Sequence, residues 1–220
     1  MQLSHKTHHQ KYQNLLFVLI VDFLVSPFLK SGLGSMFSAL LLLCTMLVII
    51  HSFKLQKFYI WAFTAIAIIA FIVQVNTSLE WFLEADNTLS VLPLLIFSLY
   101  FGGAVYWISR DLFTVSLVTV DTIKGGISVY LLIGYIWAFL YGIVEIFNSN
   151  AFSQPLVLKD SFLRTVHFSF TTLTTLGYGD IVPNSEVAQV LTNLEAIMGQ
   201  VYSTIFVAIL VSNYIARKDR

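Results

Sequence analysis

Thr175-Leu176-Gly177-Tyr178-Gly179-Asp180 follows a short amphipathic run, Ser161 to Thr174, and precedes a long apolar one, Val187 to Ile215. Two glycines alternate with a leucine and a tyrosine behind a run of threonines. Glycine takes backbone angles that a residue with a Cβ avoids. A loop of this composition can turn successive carbonyl oxygens toward one axis. A dehydrated monovalent cation needs such oxygens in place of its water shell.

The chain around this loop is apolar. Of 220 residues, 57% are hydrophobic and 11% charged, where a soluble domain carries about a quarter charged. Long uncharged runs with this composition predict an integral membrane protein. The formal net charge is zero, so no basic field points to nucleic acid. The single cysteine, Cys44, cannot form an intrachain disulfide and reads as a buried, inert thiol.

Residues 1–13 are polar and basic and read as a cytoplasmic tail. His8 and His9 adjoin there, but no second ligand group stands at a metal-binding spacing. No small-x-small cleavage site follows the first apolar run, so the tail is expected in the mature protein. Six apolar runs come next: Leu15 to Leu29, Leu33 to Ile50, Phe58 to Val75, Leu89 to Ile108, Gly126 to Phe147, and Val187 to Ile215. They predict an all-α membrane protein with six transmembrane helices. Asp160 to Leu176 is too short to span and reads as a re-entrant helix, capped by Asp160 or Ser161.

Between the fourth and fifth runs, residues 111–123 are β-branched and partly alternating. A lone strand at a membrane surface leaves backbone groups unpaired, so 111–125 reads as an interfacial helix or extended linker. The domain plan is therefore a tail (1–13), a four-helix membrane domain (14–110), the linker (111–125) and a pore domain (126–220). Five residues follow the sixth run, which leaves no room for a cytoplasmic ligand-binding domain in this sequence.

Basic residues give an independent test of orientation. With the N-terminus in the cytoplasm, nine of the twelve Lys and Arg residues fall inside and Lys30, Lys159 and Arg164 outside. That satisfies the positive-inside rule and puts both termini in the cytoplasm. Glu80, Glu84 and Asp86 then lie outside, as does the Gly177–Asp180 end of the loop. Trp61, Trp81 and Trp107 fall near helix ends, either as interfacial anchors or as packing bulk.

The loop, its preceding short helix and its following long helix closely resemble the selectivity filter and pore of the tetrameric potassium channel superfamily. The resemblance implies a homotetramer in the lipid bilayer, since one chain supplies one filter and a pore needs four. It implies a bacterial-type channel of the inner cell membrane. The carbonyls of Thr175, Leu176, Gly177 and Tyr178, with the Thr175 hydroxyl, would line the potassium sites, and Gly179 would form the outer mouth. Leu176 departs from the commoner valine, which bears on packing behind the filter more than on coordination. Potassium at the filter is the only metal ion implied, as the permeant species, and no cofactor is implied.

Several residues would support the filter. Phe168 and Tyr178 resemble the aromatic cuff of the family. His167 stands where a tryptophan is common, and either bonds Asp180 or is solvated. Thr171 stands where some relatives place a glutamate. Another carboxylate, Glu195, either braces the re-entrant helix from behind or faces the outer vestibule. In the sixth helix Gln200, Ser203, Val207 and Val211 fall on one face, which the resemblance makes the cavity lining. Gly199 matches a bending glycine of the family, with close helix packing as the alternative.

Six helices with the pore in the last two also match the voltage-gated plan, yet Leu89 to Ser109 carries no Lys or Arg. Without repeated arginines there is little charge to move through the field, so steep voltage gating is not expected. Asp22, a charge inside the first run, either faces a bundle interior and pairs with a polar group or Arg110, or is a protonated or snorkelling carboxylate without function. The leading function is a potassium-selective channel conducting passively. The alternatives are a non-selective cation channel on the same frame and a non-conducting regulatory subunit. A transporter subunit would carry several degenerate loops in a longer chain. An enzyme is not expected, because no nucleophile–base set or phosphate loop appears.

Overall fold

Hydrocarbon offers no hydrogen bonds to a peptide, so apolar segments satisfy their backbones internally as helices. The computed structural model describes residues 12–25, 28, 33–52, 57–79, 87–114, 118–156 and 162–218. Among these residues the fold is all-helical: α1 (Gln13–Val25), α2 (Leu33–Ser52), α3 (Lys57–Leu79), α4 (Asn87–Thr114), α5 (Val120–Phe147), α6 (Leu163–Leu173) and α7 (Glu186–Lys218). One isolated antiparallel bridge joins Phe152 and Pro183.

Three helical stretches are long and apolar enough to cross a membrane: Ser90–Phe113, Val120–Phe147 and Glu186–Ser212. Gln13–Val25, Met36–Ile50 and Phe63–Asn76 are apolar but shorter. At 1.5 Å per residue, α1 rises only about 20 Å, short of the roughly 30 Å hydrocarbon layer. The six-span expectation is therefore met in part. Large apolar side chains such as Phe17, Ile72 and Leu99 lie exposed on the outer faces of the bundle. In water such a surface is unfavourable, whereas lipid tails accommodate it.

The expected linker at 111–125 includes the end of one long helix and the start of the next. Helix α4 runs on through Thr114, and α5 begins at Val120. Local chemistry sets that start. The Thr119 hydroxyl accepts the Thr122 N–H at 3.2 Å, and the Thr122 hydroxyl accepts the Thr119 N–H at 3.1 Å. This reciprocal cap satisfies two orphan donors of the first turn. A β-branched run hid the cap from a reading based on propensity. The re-entrant helix is also shorter than expected, running from Leu163 to Leu173 with Phe162 at its N-cap and no side-chain cap bond. Asp160 and Ser161 lie outside the described residues, as do His5, His8, His9, Trp81 and the acidic cluster at 80–86.

One further expectation is revised. Cys44 is free but exposed, because it lies on a face of α2 turned away from the bundle. Asp22 is buried and faces the Tyr135 phenol of α5 rather than Arg110. The contact falls outside ordinary hydrogen-bond geometry. Arg110 lies over the Trp107 ring, 5.8 Å from its centre.

Helix α5 is the hub, touching α1, α4, α6 and α7. Aromatic rings fill the seam. Phe101 of α4 meets Tyr135 at 6.2 Å and Phe139 at 5.7 Å, while Phe162 stacks on Phe139 at 5.0 Å. Such offset and edge contacts add to the burial of the rings themselves. The start of α1 is locked at the α4–α5 joint. Tyr12 donates its backbone N–H to Asp121 at 3.1 Å and its hydroxyl to Asp111 at 2.5 Å. Lys124 reaches Gln13 at 2.8 Å.

Candidate functional site

Helix α6 is the element that sets the loop. Thr165, Val166, Phe168, Ser169, Thr171 and Leu173 are buried along it. Phe168 packs edge-on against Tyr141 at 5.0 Å and Phe152 at 5.2 Å. The helix ends at Thr174, whose N–H reaches the Phe170 carbonyl at 3.1 Å. Its C-terminal end points into the loop, so its dipole favours a cation there.

The loop then departs from ordinary backbone. Thr175, Gly177 and Gly179 have φ of 58°, 51° and 78°. Every second residue is thus left-handed. For the glycines this is unstrained. For a β-branched threonine it is an outlier costing of order 1–3 kcal/mol, of the kind that clusters at functional sites. The N–H of Thr175 bonds back to the Thr172 carbonyl at 2.9 Å, and that of Gly177 to the Thr171 carbonyl at 3.1 Å. Alternating handedness along a chain sorts N–H groups to one side and carbonyls to the other. Here the N–H groups of Thr175 and Gly177 turn toward α6. Residues 174–180 are exposed in the single chain, with Tyr178 68% accessible.

The supports fall into three groups. At the outer end, His167 Nε2 lies 3.0 Å from Asp180 Oδ2, and its ring stacks on Tyr178 at 5.9 Å, 6° from parallel. Phe168 and Tyr178 therefore part company within one chain: the former turns inward and the latter lies on His167. Gln154 donates to the Asp180 carbonyl at 3.0 Å and accepts from Arg164. Desolvation works against the Asp180 carboxylate, but the His167 hydrogen bond and charge and the backbone N–H groups together hold its pKa below the usual value.

Behind α6, Glu195 of α7 is fully buried. It takes Ser169 at 2.6 Å on Oε1 and a short hydrogen bond from Tyr141 on Oε2. It does not face the outer vestibule. The Thr171 hydroxyl bonds only to the Phe168 carbonyl of its own helix, at 3.0 Å. Glu145 holds the segment before α6 by accepting the Leu156 N–H at 2.7 Å.

On α7, Gln200, Ser203, Val207 and Val211 share an exposed face. Gln200 Nε2 approaches the Thr175 hydroxyl at 3.2 Å, so this face and the loop adjoin. Gly199 packs against the end of α6, where an added Cβ would strike the Leu173 carbonyl. Close packing is therefore present at Gly199. Reasoning from sequence passed over Tyr141, Ser169, Gln154 and Glu145. Their partners lie up to 54 residues away, and of the four only Glu145, a charge in an apolar run, stood out in the sequence.

The ion channel family model matches residues 91–216, from α4 through α7. This chain belongs to that ion channel family. Its place in the tetrameric potassium channel superfamily follows. No curated protein and no solved structure matches the chain. The matched stretch contains the loop, α6, α7 and all the supporting residues above, and it begins in the helix that packs along α5. As a family member the chain is an ion-transporting membrane protein, not a member of an enzyme class. Among the described residues no cluster of three His, Cys, Asp or Glu could hold a metal ion.

Proposed function

We propose that this protein is a potassium-selective channel. Four copies surround one axis, and potassium passes through the carbonyls of Thr175, Leu176, Gly177 and Tyr178 without energy input. The observation that carries this reading is the alternating left-handed backbone at Thr175, Gly177 and Gly179, with the N–H groups of Thr175 and Gly177 spent on α6. Four such strands together present rings of oxygens, which replace the hydration shell of a potassium ion. The exposure of this loop and of the apolar face of α7 in the single chain fits burial against other copies.

In this arrangement six helices cross the membrane and α6 enters it, with both termini in the cytoplasm and the Asp180 end outside. The distribution of Lys and Arg supports that orientation. Asp180, His167 and Gln154 hold the outer mouth, Glu195 braces α6, and Gln200, Ser203, Val207 and Val211 line the cavity. Gating is not steeply voltage-dependent, because α4 contains one basic residue, Arg110, near its end.

The test is potassium flux from liposomes holding the purified protein, with reversal potentials in mixed potassium and sodium. A reversal potential following the potassium gradient supports the proposal. One that tracks both ions makes the protein a non-selective cation channel, and no flux under any condition makes it a regulatory subunit. Gly177→Ala is the control. Nothing lies within 4 Å of a Cβ built there, so the substitution acts on backbone alone, at roughly 1–2 kcal/mol for a left-handed residue with a side chain.

A further inference from the structure

Glu195 lies where three helices meet, and its hydrogen bonds can be counted. Ser169 Oγ is 2.7 Å from the Gly134 carbonyl oxygen and 2.6 Å from Glu195 Oε1. The Tyr141 hydroxyl bonds Glu195 Oε2. Three contacts between oxygens need three hydrogens. Ser169 and Tyr141 supply one each, and the Gly134 carbonyl supplies none. A single serine hydrogen aimed at two oxygens makes a poor angle to at least one of them. The third hydrogen therefore belongs to the glutamate.

We propose that Glu195 is a proton-binding site: it holds a carboxylic acid proton at neutral pH and uses it as the clasp between α5, α6 and α7. The O–H on Oε1 donates to Ser169, whose own hydrogen goes to the Gly134 carbonyl. Tyr141 donates to Oε2. All four groups are then satisfied, as buried polar groups must be. An ionised carboxylate would leave one of the two serine contacts, 2.7 Å to the Gly134 carbonyl or 2.6 Å to Oε1, with no hydrogen between its oxygens. It would also sit fully buried with no cation paired to it among the described residues. The titratable groups facing it are Tyr141 and Tyr130, both of α5, while α6 faces it with the Ser169 hydroxyl. Neither tyrosine compensates a negative charge. Glu195 is thus a positioning residue that acts on the loop through Ser169 and α6.

Infrared difference spectroscopy on the full chain in lipid at neutral pH tests this without any ion current, so it fails or succeeds apart from the channel reading. The expected result is a carboxylic acid C=O band that disappears in Glu195→Gln and persists in Asp22→Asn, the latter removing another buried carboxyl of the bundle. Loss of carboxylate bands alone in Glu195→Gln overturns the proposal. Ser169→Ala provides a second reading that keeps the glutamate: the acid band moves to higher frequency as its hydrogen-bond acceptor is lost. No change in the acid region with Ser169→Ala also overturns it. A role for the proton in positioning further predicts that Glu195→Gln, whose amide sets an N–H donor group and a carbonyl acceptor in place of the O–H and C=O, unfolds within about 3 °C of the parent. Glu195→Ala, which leaves buried groups unpaired, unfolds roughly 5–10 °C lower.

Discussion

Gly199 lets α7 approach the Leu173 carbonyl so closely that a Cβ would have no room. Leu173 is the last residue of α6, immediately before the loop. The same carbonyl lies 3.4 Å from the Tyr130 hydroxyl of α5. One peptide oxygen is thereby held from two sides, and the height of the loop depends on it. Gly199→Ala is expected to push α6 outward, with an overpacking cost of about 1–3 kcal/mol. Purified protein carrying it should unfold at lower temperature and lose potassium flux. Unchanged flux and stability would show that the contact is slack.

The outer mouth should respond to acid. His167 and the backbone hold the Asp180 carboxyl below its ordinary value of 3.8. A carboxylate depressed in the folded state contributes stability that is complete above the ordinary value. That contribution is lost as pH falls through the lowered one. Flux should therefore persist down to about pH 4 and decline below it. His167→Ala should move the decline upward in pH, and Asp180→Asn should remove this component. A decline at the same pH in all three proteins would rule out the pair as its cause.

Tyr12 ties the first helix to the α4–α5 joint through Asp111 and Asp121. Burial, then the hydrogen bond and charge of Asp111, push its phenol far above the usual tyrosine value. The hydroxyl thus stays a donor at every accessible pH. Tyr12→Phe keeps the ring and removes one hydrogen bond to a charged acceptor, worth about 1.5–3 kcal/mol. Thermal unfolding in detergent should register the loss, and Asp111→Asn should lower stability by less, because an amide oxygen still accepts.

Voltage should matter little. Moving one charge across the full field is worth about 2.3 kcal/mol per 100 mV, and Arg110 is the only basic residue of α4. Its place over Trp107 gives it a cation–π partner where it already is. Conductance recorded from the reconstituted protein is expected to vary shallowly with voltage, and Arg110→Gln should leave the curve nearly unchanged. A steep sigmoid abolished by that substitution would contradict this.

Much of the architecture was legible because hydrocarbon imposes one simple rule on apolar runs. The helices α2, α3, α5 and α7 begin or end within a few residues of the runs Leu33 to Ile50, Phe58 to Val75, Gly126 to Phe147 and Val187 to Ile215. The loop was legible because Gly177 and Gly179 are needed at positive φ. Helix ends set by side chains were not. Thr119 and Thr122 cap α5 within a β-branched run that reads as an interfacial helix or extended linker. The clasp behind α6 was half legible: Glu195 is conspicuous by charge, whereas Ser169 and Tyr141 are ordinary residues until the fold brings them to it. Cys44 was misjudged because membrane proteins turn apolar faces outward, so hydrophobic surroundings in sequence do not imply burial in the chain.

Ala151 accepts two backbone hydrogen bonds, from Asn184 at 2.8 Å and Ser185 at 3.2 Å. Ser185 in turn caps α7 by accepting the Ala188 N–H at 3.2 Å, and Ser153 closes on Val182 just beyond the loop. The exit of the loop and the top of the long helix therefore share a single mooring. Swinging of α7 is pinned at that end, so its far end must travel farther. A movement wide enough to displace the Lys218 end would leave the Glu186 end nearly still, as a door moves least at its hinge post.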